Sequence, residues 1–139
     1  MIQPLGTCLW FNGNAREAAE FYCSIFPNSA ISSANEWVVA FDLNGRAFQG
    51  LNGGPQFSFN ESISFVVTCA DQQELDYYWE RLTANGGREG QCGWCTDRFG
   101  VSWQVVPVQL GQLMADPAWR AHAMAAFRGM TKIILADLA

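Results

Sequence analysis

The side chains that could do chemistry in this sequence are few, and the best placed are two cysteines. Cys92 and Cys95 stand two residues apart, which is the spacing of dithiol redox motifs. Such motifs normally begin a helix, where the helix dipole lowers the thiol pKa, whereas this pair precedes a strand-like turn. No second Cys or His pair follows at zinc-site spacing, and the single histidine, His122, lies far along the chain. We therefore expect neither redox chemistry nor a structural zinc site.

The carboxylates have simpler explanations than catalysis. Asp71 precedes a helix-like segment and Glu74 follows three residues later, which is the pattern of a capping box. Asp97 falls in a predicted turn, where its side chain can accept backbone hydrogen bonds. The sequence contains no Ser-His-Asp set, and the Gly-rich stretch 52–55 lacks the Lys and the helix that a phosphate loop needs.

Composition predicts a soluble, cytoplasmic protein. The chain has 139 residues, of which 50% are hydrophobic and 14% aromatic, so a single domain over 1–139 can bury a core. The net charge is −5 and the basic residues are scattered, so we expect no nucleic-acid partner. We expect no membrane contact either, because no apolar run reaches the length of a membrane span. The odd set of five cysteines favours a reducing compartment.

A five-residue motif occurs twice and reveals an internal repeat. Gly45–Gln49 and Gly100–Gln104 both read Gly-x-x-aromatic-Gln. Each copy follows a helix-like segment that contains Glu and aromatic residues, and each such segment follows a strand-like run. The chain is therefore predicted to use one βαβββ unit twice, in an α+β fold.

The predicted elements follow this plan. Repeat unit one spans about 5–54 and repeat unit two about 61–107, and C-terminal helices cover about 109–138. Strands are predicted at 7–11, 30–33, 36–43, 46–51, 62–69, 89–96 and 101–106, with helices at 15–26 and 71–84. The C-terminal tail is apolar enough that it should pack on the body or on a partner subunit.

Seven stretches make the chain resemble the glyoxalase/bleomycin-resistance (vicinal oxygen chelate) superfamily. Within it, the chain is most similar to the PhnB-like branch, often labelled 3-demethylubiquinone-9 3-methyltransferase. The resembling stretches are Leu9–Ala15, Phe21–Ser29, Leu51–Phe57, Ser64–Val67, Tyr77–Trp79, Gly90–Trp94 and Asp97–Gln104. Relatives usually carry a longer segment where this chain passes directly through residues 32–37.

The resemblance implies where a metal would bind in this fold. Metal-dependent members place their ligands on the first and last strand of each unit, facing into a cup. Those positions correspond here to Thr7, Gln49, Ser64 and Gln104, none of which is His, Asp, Glu or Cys. Two hydroxyls and two carboxamides would hold a divalent ion poorly, so we expect no metal and no cofactor.

The leading hypothesis is that the cup binds a small organic molecule without metal. The expected contacts are Thr7, Leu9, Gln49, Ser64 and Gln104. Strand alternation is taken to place Leu9 and Phe11 on the face of these polar groups, and to turn Cys8, Trp10, Phe48, Phe65 and Trp103 toward the helices. The alternative explanation for Gln49 and Gln104 is that each carboxamide only satisfies neighbouring backbone groups.

Two other functions stay open on the sequence alone. The protein could be an enzyme acting on a small aromatic or quinone-like substrate, or a structural module with vestigial pockets. The methyltransferase label finds no support in the sequence, because a methyl-donor site would ordinarily need a parallel sheet with a Gly-rich strand-to-helix turn. Relatives assemble by pairing units, so a two-fold homodimer is expected.

Overall fold

A computed structural model describes residues 1–138. The chain divides into two compact units, Met1–Phe59 and the part from Asn60 onward. The elements of the first unit are β1 (Thr7–Phe11), α1 (Ala15–Ile25), β2 (Ala30–Ala34), β3 (Val38–Leu43) and β4 (Arg46–Asn52). The sequence predicts that the two units form a single domain, and this stays a prediction.

The second unit repeats this order and then adds helices. Its elements are β5 (Ser64–Cys69), α2 (Gln72–Thr83), β6 (Arg88–Glu89), β7 (Trp94–Thr96), β8 (Ser102–Pro107), α3 (Val108–Ala115), α4 (Pro117–Arg128) and a 3₁₀ turn (Leu135–Asp137). The predicted C-terminal helices are therefore present. No helix in residues 1–138 is both long enough and apolar enough to cross a membrane.

The two sheets have the same topology. The first has the strand order β1-β4-β3-β2 and the second β5-β8-β7-β6. In each sheet the first strand pairs in parallel with the last, and the other neighbours pair antiparallel. The predicted α+β fold of tandem βαβββ units is confirmed.

Small residues let α1 lie close against the first sheet. Its buried face is rich in alanine and also carries Tyr22 and Ile25. Gly50 of β4 faces the helix, and a β-carbon there would come within 3.0 Å of the β-carbon of Ala15. The ring of Tyr22 stacks on Phe41, and Phe41 in turn stacks on Phe48, with a ring-centre separation of 5.5 Å. The aromatic residue of the first Gly-x-x-aromatic-Gln copy is therefore part of the core, as predicted.

The turns of the first unit follow from their sequences. Asn44 and Gly45 both have positive φ, as a two-residue hairpin requires. The short stretch between β2 and β3 closes as another hairpin, in which Asn35 Oδ1 accepts from the backbone N–H groups of Trp37 and Val38 at 2.9 Å. At the sheet edge, β2 carries a β-bulge where the pairing register with β3 shifts between Ile31 and Ser33.

The predicted strand over 89–96 is wrong, because a turn divides it into β6 and β7. Cys92 and Gly93 both have positive φ, which an extended strand does not allow. A β-carbon at Gly93 would come within 2.9 Å of the carbonyl oxygen of Val105, so the turn lies tightly against β8. The Gly93 carbonyl accepts a hydrogen bond from the Val105 N–H at 2.8 Å.

Asp97 closes the turn between β7 and β8. Its carboxylate is buried, and Oδ1 accepts from the backbone N–H groups of Phe99 and Val101 at 2.8 and 3.1 Å. The other oxygen accepts from the indole N–H of Trp103 at 2.8 Å. Asp97 is a turn residue, as predicted, and it also fixes the core indole of the second Gly-x-x-aromatic-Gln copy.

The C-terminal tail packs on its own unit, which confirms one of the two predicted arrangements. The backbone N–H groups of Cys92 and Gly93 donate to the carbonyls of Met130 and Thr131, both at 2.8 Å. Gln72 at the start of α2 donates to the Ile133 carbonyl and accepts from the Leu135 N–H. The expected homodimer stays a prediction.

The Asp97 contacts predict an unequal response to the same substitution at two aspartates. Asp97→Ala leaves three donors in a buried turn without their acceptor, and we expect the free energy of unfolding to fall by about 3 kcal/mol or more. The matched control is Asp71→Ala at the exposed start of α2, where one cap hydrogen bond is lost at a cost of about 1 kcal/mol. Urea unfolding measures both values, and equal losses would contradict the structural role given to Asp97.

Candidate functional site

The two repeated glutamines lie on equivalent faces of their own sheets. Gln49 follows the core residue Phe48 on β4, and Gln104 follows the core residue Trp103 on β8. Because neighbouring residues of a strand point to opposite faces, both carboxamides lie on the side away from the helix. We call this side of each sheet its far face.

A hydrogen-bonded pair of polar side chains occupies the far face of the second sheet. Gln104 Nε2 donates to Ser64 Oγ at 2.9 Å, across the parallel pair β5 and β8. This bond holds the carboxamide of Gln104 against the Ser64 hydroxyl. Ser64 and Gln104, both predicted site residues, are thus brought together within one unit.

Ser102 lies beside this pair and was missed by the sequence analysis. The register of β5 and β8 places it opposite Ser64, two residues before Gln104 and so on the same face. Its side chain is only 1% exposed, and its hydroxyl has no hydrogen-bond partner in residues 1–138. The sequence contains one sign of this residue, because the second motif copy has the polar Ser102 where the first copy has the apolar Ala47.

Strand pairing arranges the far face of the second sheet in two rows of side chains, one polar and one mainly apolar. The polar row begins with Ser64 and Ser102. Pairing continues from Ser102 to Thr96 on β7 and to Arg88 on the edge strand β6. Gln104 pairs with Val66 on one side and with Trp94 on the other. Arg88 is exposed and is the only charged residue that strand pairing places in these two rows.

The first unit corrects the predicted faces of β1. Phe48 pairs with Thr7, whereas in the second unit the equivalent Trp103 pairs with Phe65. Thr7 therefore corresponds to Phe65, and the position equivalent to Ser64 belongs to Gly6. The predicted equivalence of Thr7 and Ser64 is wrong by one residue, and an offset of one residue moves every side chain of a strand to the opposite face.

The offset also removes Leu9 and Phe11 from the far face. Both side chains are buried in the core of the first unit, on the same side of β1 as Thr7. Cys8 and Trp10 lie on the far face instead, and Cys8 pairs with Gln49. Both residues had been expected in the core, yet Cys8 is exposed. Thr7 and Leu9 were predicted to bind a ligand because they were expected to share a face with Gln49. The register places them on the opposite face.

The two cysteines of the Cys-x-x-Cys motif have unequal surroundings. Cys95 is buried, and desolvation, together with the nearby charges of Asp97 and Glu89, raises its pKa to about 12. The Cys92 thiol lies 3.4 Å from the Phe127 carbonyl oxygen. At neutral pH the Cys95 thiol stays protonated, which is opposite to the thiolate stabilisation that a dithiol redox motif needs.

The strand order and the tandem units place the chain in a known class, the glyoxalase/bleomycin-resistance fold of the vicinal oxygen chelate superfamily. The family model described as 3-demethylubiquinone-9 3-methyltransferase matches residues 3–106, and the chain belongs to that PhnB-like family. No protein with a curated description matches the chain.

One solved structure supports the family assignment, and two more distant ones share the fold alone. A PhnB protein from Bacillus cereus, whose description carries the same methyltransferase name, is 30% identical with a TM-score of 0.69, and the match covers 76% of this chain and 100% of that one. A Pseudomonas aeruginosa protein is 20% identical over 76% of this chain and 98% of its own, with a TM-score of 0.60. The fosfomycin resistance protein FosX of Listeria monocytogenes, in complex with Mn(II), is 16% identical over 78% and 94%, with a TM-score of 0.57, and shows the shared fold alone.

The residues of this chain do not fit a metal such as the Mn(II) in the FosX structure. The first and last strands offer Cys8, Gln49, Ser64 and Gln104 on the far faces, and only the Cys8 thiol is a strong ligand for a transition metal. In residues 1–138, no three His, Cys, Asp or Glu side chains are grouped as a metal site requires.

The donor set predicts that purified protein carries far less than one equivalent of zinc, nickel, manganese or iron. We expect equimolar Mn(II) to leave the unfolding temperature unchanged, whereas a tight site would raise it by several degrees. Elemental analysis and thermal unfolding, each with and without EDTA, measure the two quantities. Stoichiometric metal whose removal lowers the unfolding temperature would contradict the prediction.

The cysteine environments predict selective alkylation. With iodoacetamide at pH 8, we expect Cys8 to react first because it is exposed. Cys95 and Cys69 should stay unmodified, since both are buried and the pKa of each is raised to about 12. Because a raised pKa moves thiolate formation to higher pH, their reaction should begin only as the pH approaches that value. Peptide mass spectrometry reads the sites, and in urea all five cysteines should react.

Proposed function

We propose that this protein binds a small organic molecule, without metal, on the far face of its second sheet. The observation that carries the proposal is the buried hydroxyl of Ser102, which has no partner in residues 1–138 and lies beside the Gln104–Ser64 pair. A buried polar group without a hydrogen bond costs about 1–3 kcal/mol, so natural proteins keep few of them. A ligand group that displaces the side chains covering Ser102 and bonds to its hydroxyl removes this cost when it binds.

The polar groups define what the ligand must offer. Ser102 Oγ can donate or accept. Within residues 1–138, the side chain of Gln104 makes only the hydrogen bond from its nitrogen to Ser64, so its carbonyl oxygen can accept. A ligand with a donor and an acceptor close together, such as a hydroxyl beside a carbonyl, would satisfy both residues. Two polar contacts at fixed positions would give orientation, and the remainder of the affinity must come from apolar contact.

The apolar side chains on the same face offer that contact. Val66 is 57% exposed although it lies in mid-strand, and Trp94 is half-buried on the other side of Gln104. Covering them would release roughly 25 cal/mol for each square ångström of apolar surface removed from water. If a flat ring of the ligand covered Val66 and Trp94, a polar group at the edge of that ring would face Ser102.

The charges favour a ligand that is uncharged or carries a single negative charge. Arg88 is the only cation in the two rows, and it lies on the exposed edge strand. One exposed guanidinium does not make the phosphate cradle that polyanionic ligands need. The family description names a methyltransferase, but the two mixed sheets lack the parallel order of a methyl-donor fold, so binding is proposed here and methyl transfer is not.

Gln49 is proposed as the corresponding polar contact of the first unit. Its carboxamide is exposed on the far face of its own sheet, and it pairs with Cys8 on β1 and with Ala40 on β3. Thr7 and Leu9 are left out of the proposed site, because they lie on the helix side of β1.

Two alanine substitutions on neighbouring strands test the proposal with opposite expected effects on stability. Ser102→Ala removes the hydroxyl that has no partner, so we expect the free energy of unfolding to rise by roughly 1 kcal/mol. Ser64→Ala removes the partner of Gln104, so it should fall by a similar amount. Urea unfolding measures both.

Substitution of either polar contact, Ser102 or Gln104, should lower the affinity for a probe with the required groups. We choose 4-hydroxyacetophenone, which has a ring, a donor and an acceptor, and we follow by NMR the indole signal of Trp94, which pairs with Gln104. Ser102→Ala and Gln104→Leu should each weaken binding roughly 2- to 12-fold, while Gln91→Leu, in an exposed loop, should leave it unchanged. A Ser102→Ala variant that is less stable and binds the probe equally well would contradict the proposal.

A further inference from the structure

A separate cavity lies among the C-terminal helices. It has a volume of about 460 Å³ and belongs entirely to the second unit. Its lining residues are Gln109, Gln112, Leu113, Asp116, Trp119, Leu135 and Leu138. All seven lie beyond residue 106, where the match to the family model ends, so this cavity is additional to the part of the chain that the family shares.

The walls of the cavity are held by hydrogen bonds. Asp116 caps α4 by accepting from the Ala118 N–H, and Arg120 Nε donates to the Met114 carbonyl at 2.7 Å, which joins the end of α3 to α4. The opposite wall is the 3₁₀ turn, which is anchored where the Leu135 N–H donates to a side chain of α2. Because hydrogen bonds within the protein hold both walls, the cavity is preformed.

One buried polar atom sets the chemistry of the cavity. Gln109 Nε2 donates to the Ala70 carbonyl at 3.3 Å, which fixes the orientation of the amide. Its Oε1 is buried and has no hydrogen-bond partner in residues 1–138. The carboxamide therefore has an unused acceptor, and flipping the amide would place two carbonyl oxygens against each other.

The other lining residues are mainly apolar. Leu113, Leu135, Leu138 and the indole of Trp119 supply leucine and aromatic surface, and Leu138 is fully buried. Asp116 adds a carboxylate, and no basic residue lines the cavity. Negative charge beside an unused acceptor favours a ligand that donates a hydrogen bond and disfavours an anion.

From these features we propose a second binding site, in this cavity, for a neutral or cationic apolar molecule that carries a hydrogen-bond donor. The donor bonds to Gln109 Oε1, and the apolar body lies against the leucines and Trp119. This volume falls in the range of pockets that bury small organic ligands. The site shares no residue with the far face of the second sheet, so it does not depend on the function proposed for that face.

Two probes of nearly equal shape test the role of the donor. 2-Naphthol has a hydroxyl donor, and in 2-fluoronaphthalene a fluorine takes its place. In the full ¹⁵N-labelled chain, we expect both probes to shift the Trp119 indole signal, assigned with Trp119→Phe, and the Leu138 amide signal. 2-Naphthol should bind roughly 2- to 12-fold more tightly, the ratio expected for one net hydrogen bond.

Three variants locate the effect. Gln109→Leu should bring the two dissociation constants to the same value, because it removes the acceptor and keeps the apolar volume. Leu113→Trp should abolish binding of both probes by filling the cavity, and the unchanged remainder of its NMR spectrum reports that the chain is folded. Gln104→Leu, on the far face of the sheet, should leave the ratio unchanged.

The results that would overturn this site differ from those that bear on the sheet face. No shift at Trp119 and Leu138 up to the solubility limit of the probes would overturn it, and so would a preference for 2-naphthol that survives Gln109→Leu. Loss of that preference in Gln104→Leu would mean that the naphthol binds on the sheet face, which would also overturn the cavity site. Failure of 4-hydroxyacetophenone to bind Gln104 would leave the cavity result unaffected.

Discussion

The parallel pairing of the first strand with the last strand decides the chemistry of each unit. This pairing fixes which residues stand side by side, and alternation then fixes which of them leave the core. In the second unit it brings Ser64, Ser102 and Gln104 onto one face. In the first unit the same pairing opposes Cys8 to Gln49, so the two copies of one motif have different neighbours. The repeat preserves the backbone and the core aromatic residue, while the polar groups around the glutamine diverge.

The sequence predicted the fold well because its signals are local. Turn residues, a capping aspartate and two copies of one motif each mark a boundary without reference to the rest of the chain, and the strands and helices follow them closely. The strand predicted over 89–96 failed for a non-local reason. The C-terminal tail supplies carbonyls to the turn at Cys92 and Gly93, and nothing near that stretch reveals a contact with residues about 40 positions later.

The site was harder to predict, because the sequence of β1 does not show which of its two faces is buried. Cys8, Leu9, Trp10 and Phe11 are all apolar, so alternation cannot distinguish the core side from the far side. Only the pairing register with β4 shows which face is buried, and that register is set by the tertiary structure. For Ser102, in contrast, the position in the sheet could be predicted but its importance could not. It stands within the motif and differs from Ala47 of the first copy, but what distinguishes it is the lack of a hydrogen-bond partner, which the sequence does not show.

The bulge in β2 has a consequence for how copies of this protein can associate. An edge strand with an unbroken row of free backbone groups invites a second chain to add a strand. In the first sheet that row is interrupted where the pairing shifts between Ile31 and Ser33, and the side chains near the break are mostly small and exposed. The edge is thus protected against sheet extension, and this strand resists the backbone pairing through which fibrous aggregates grow.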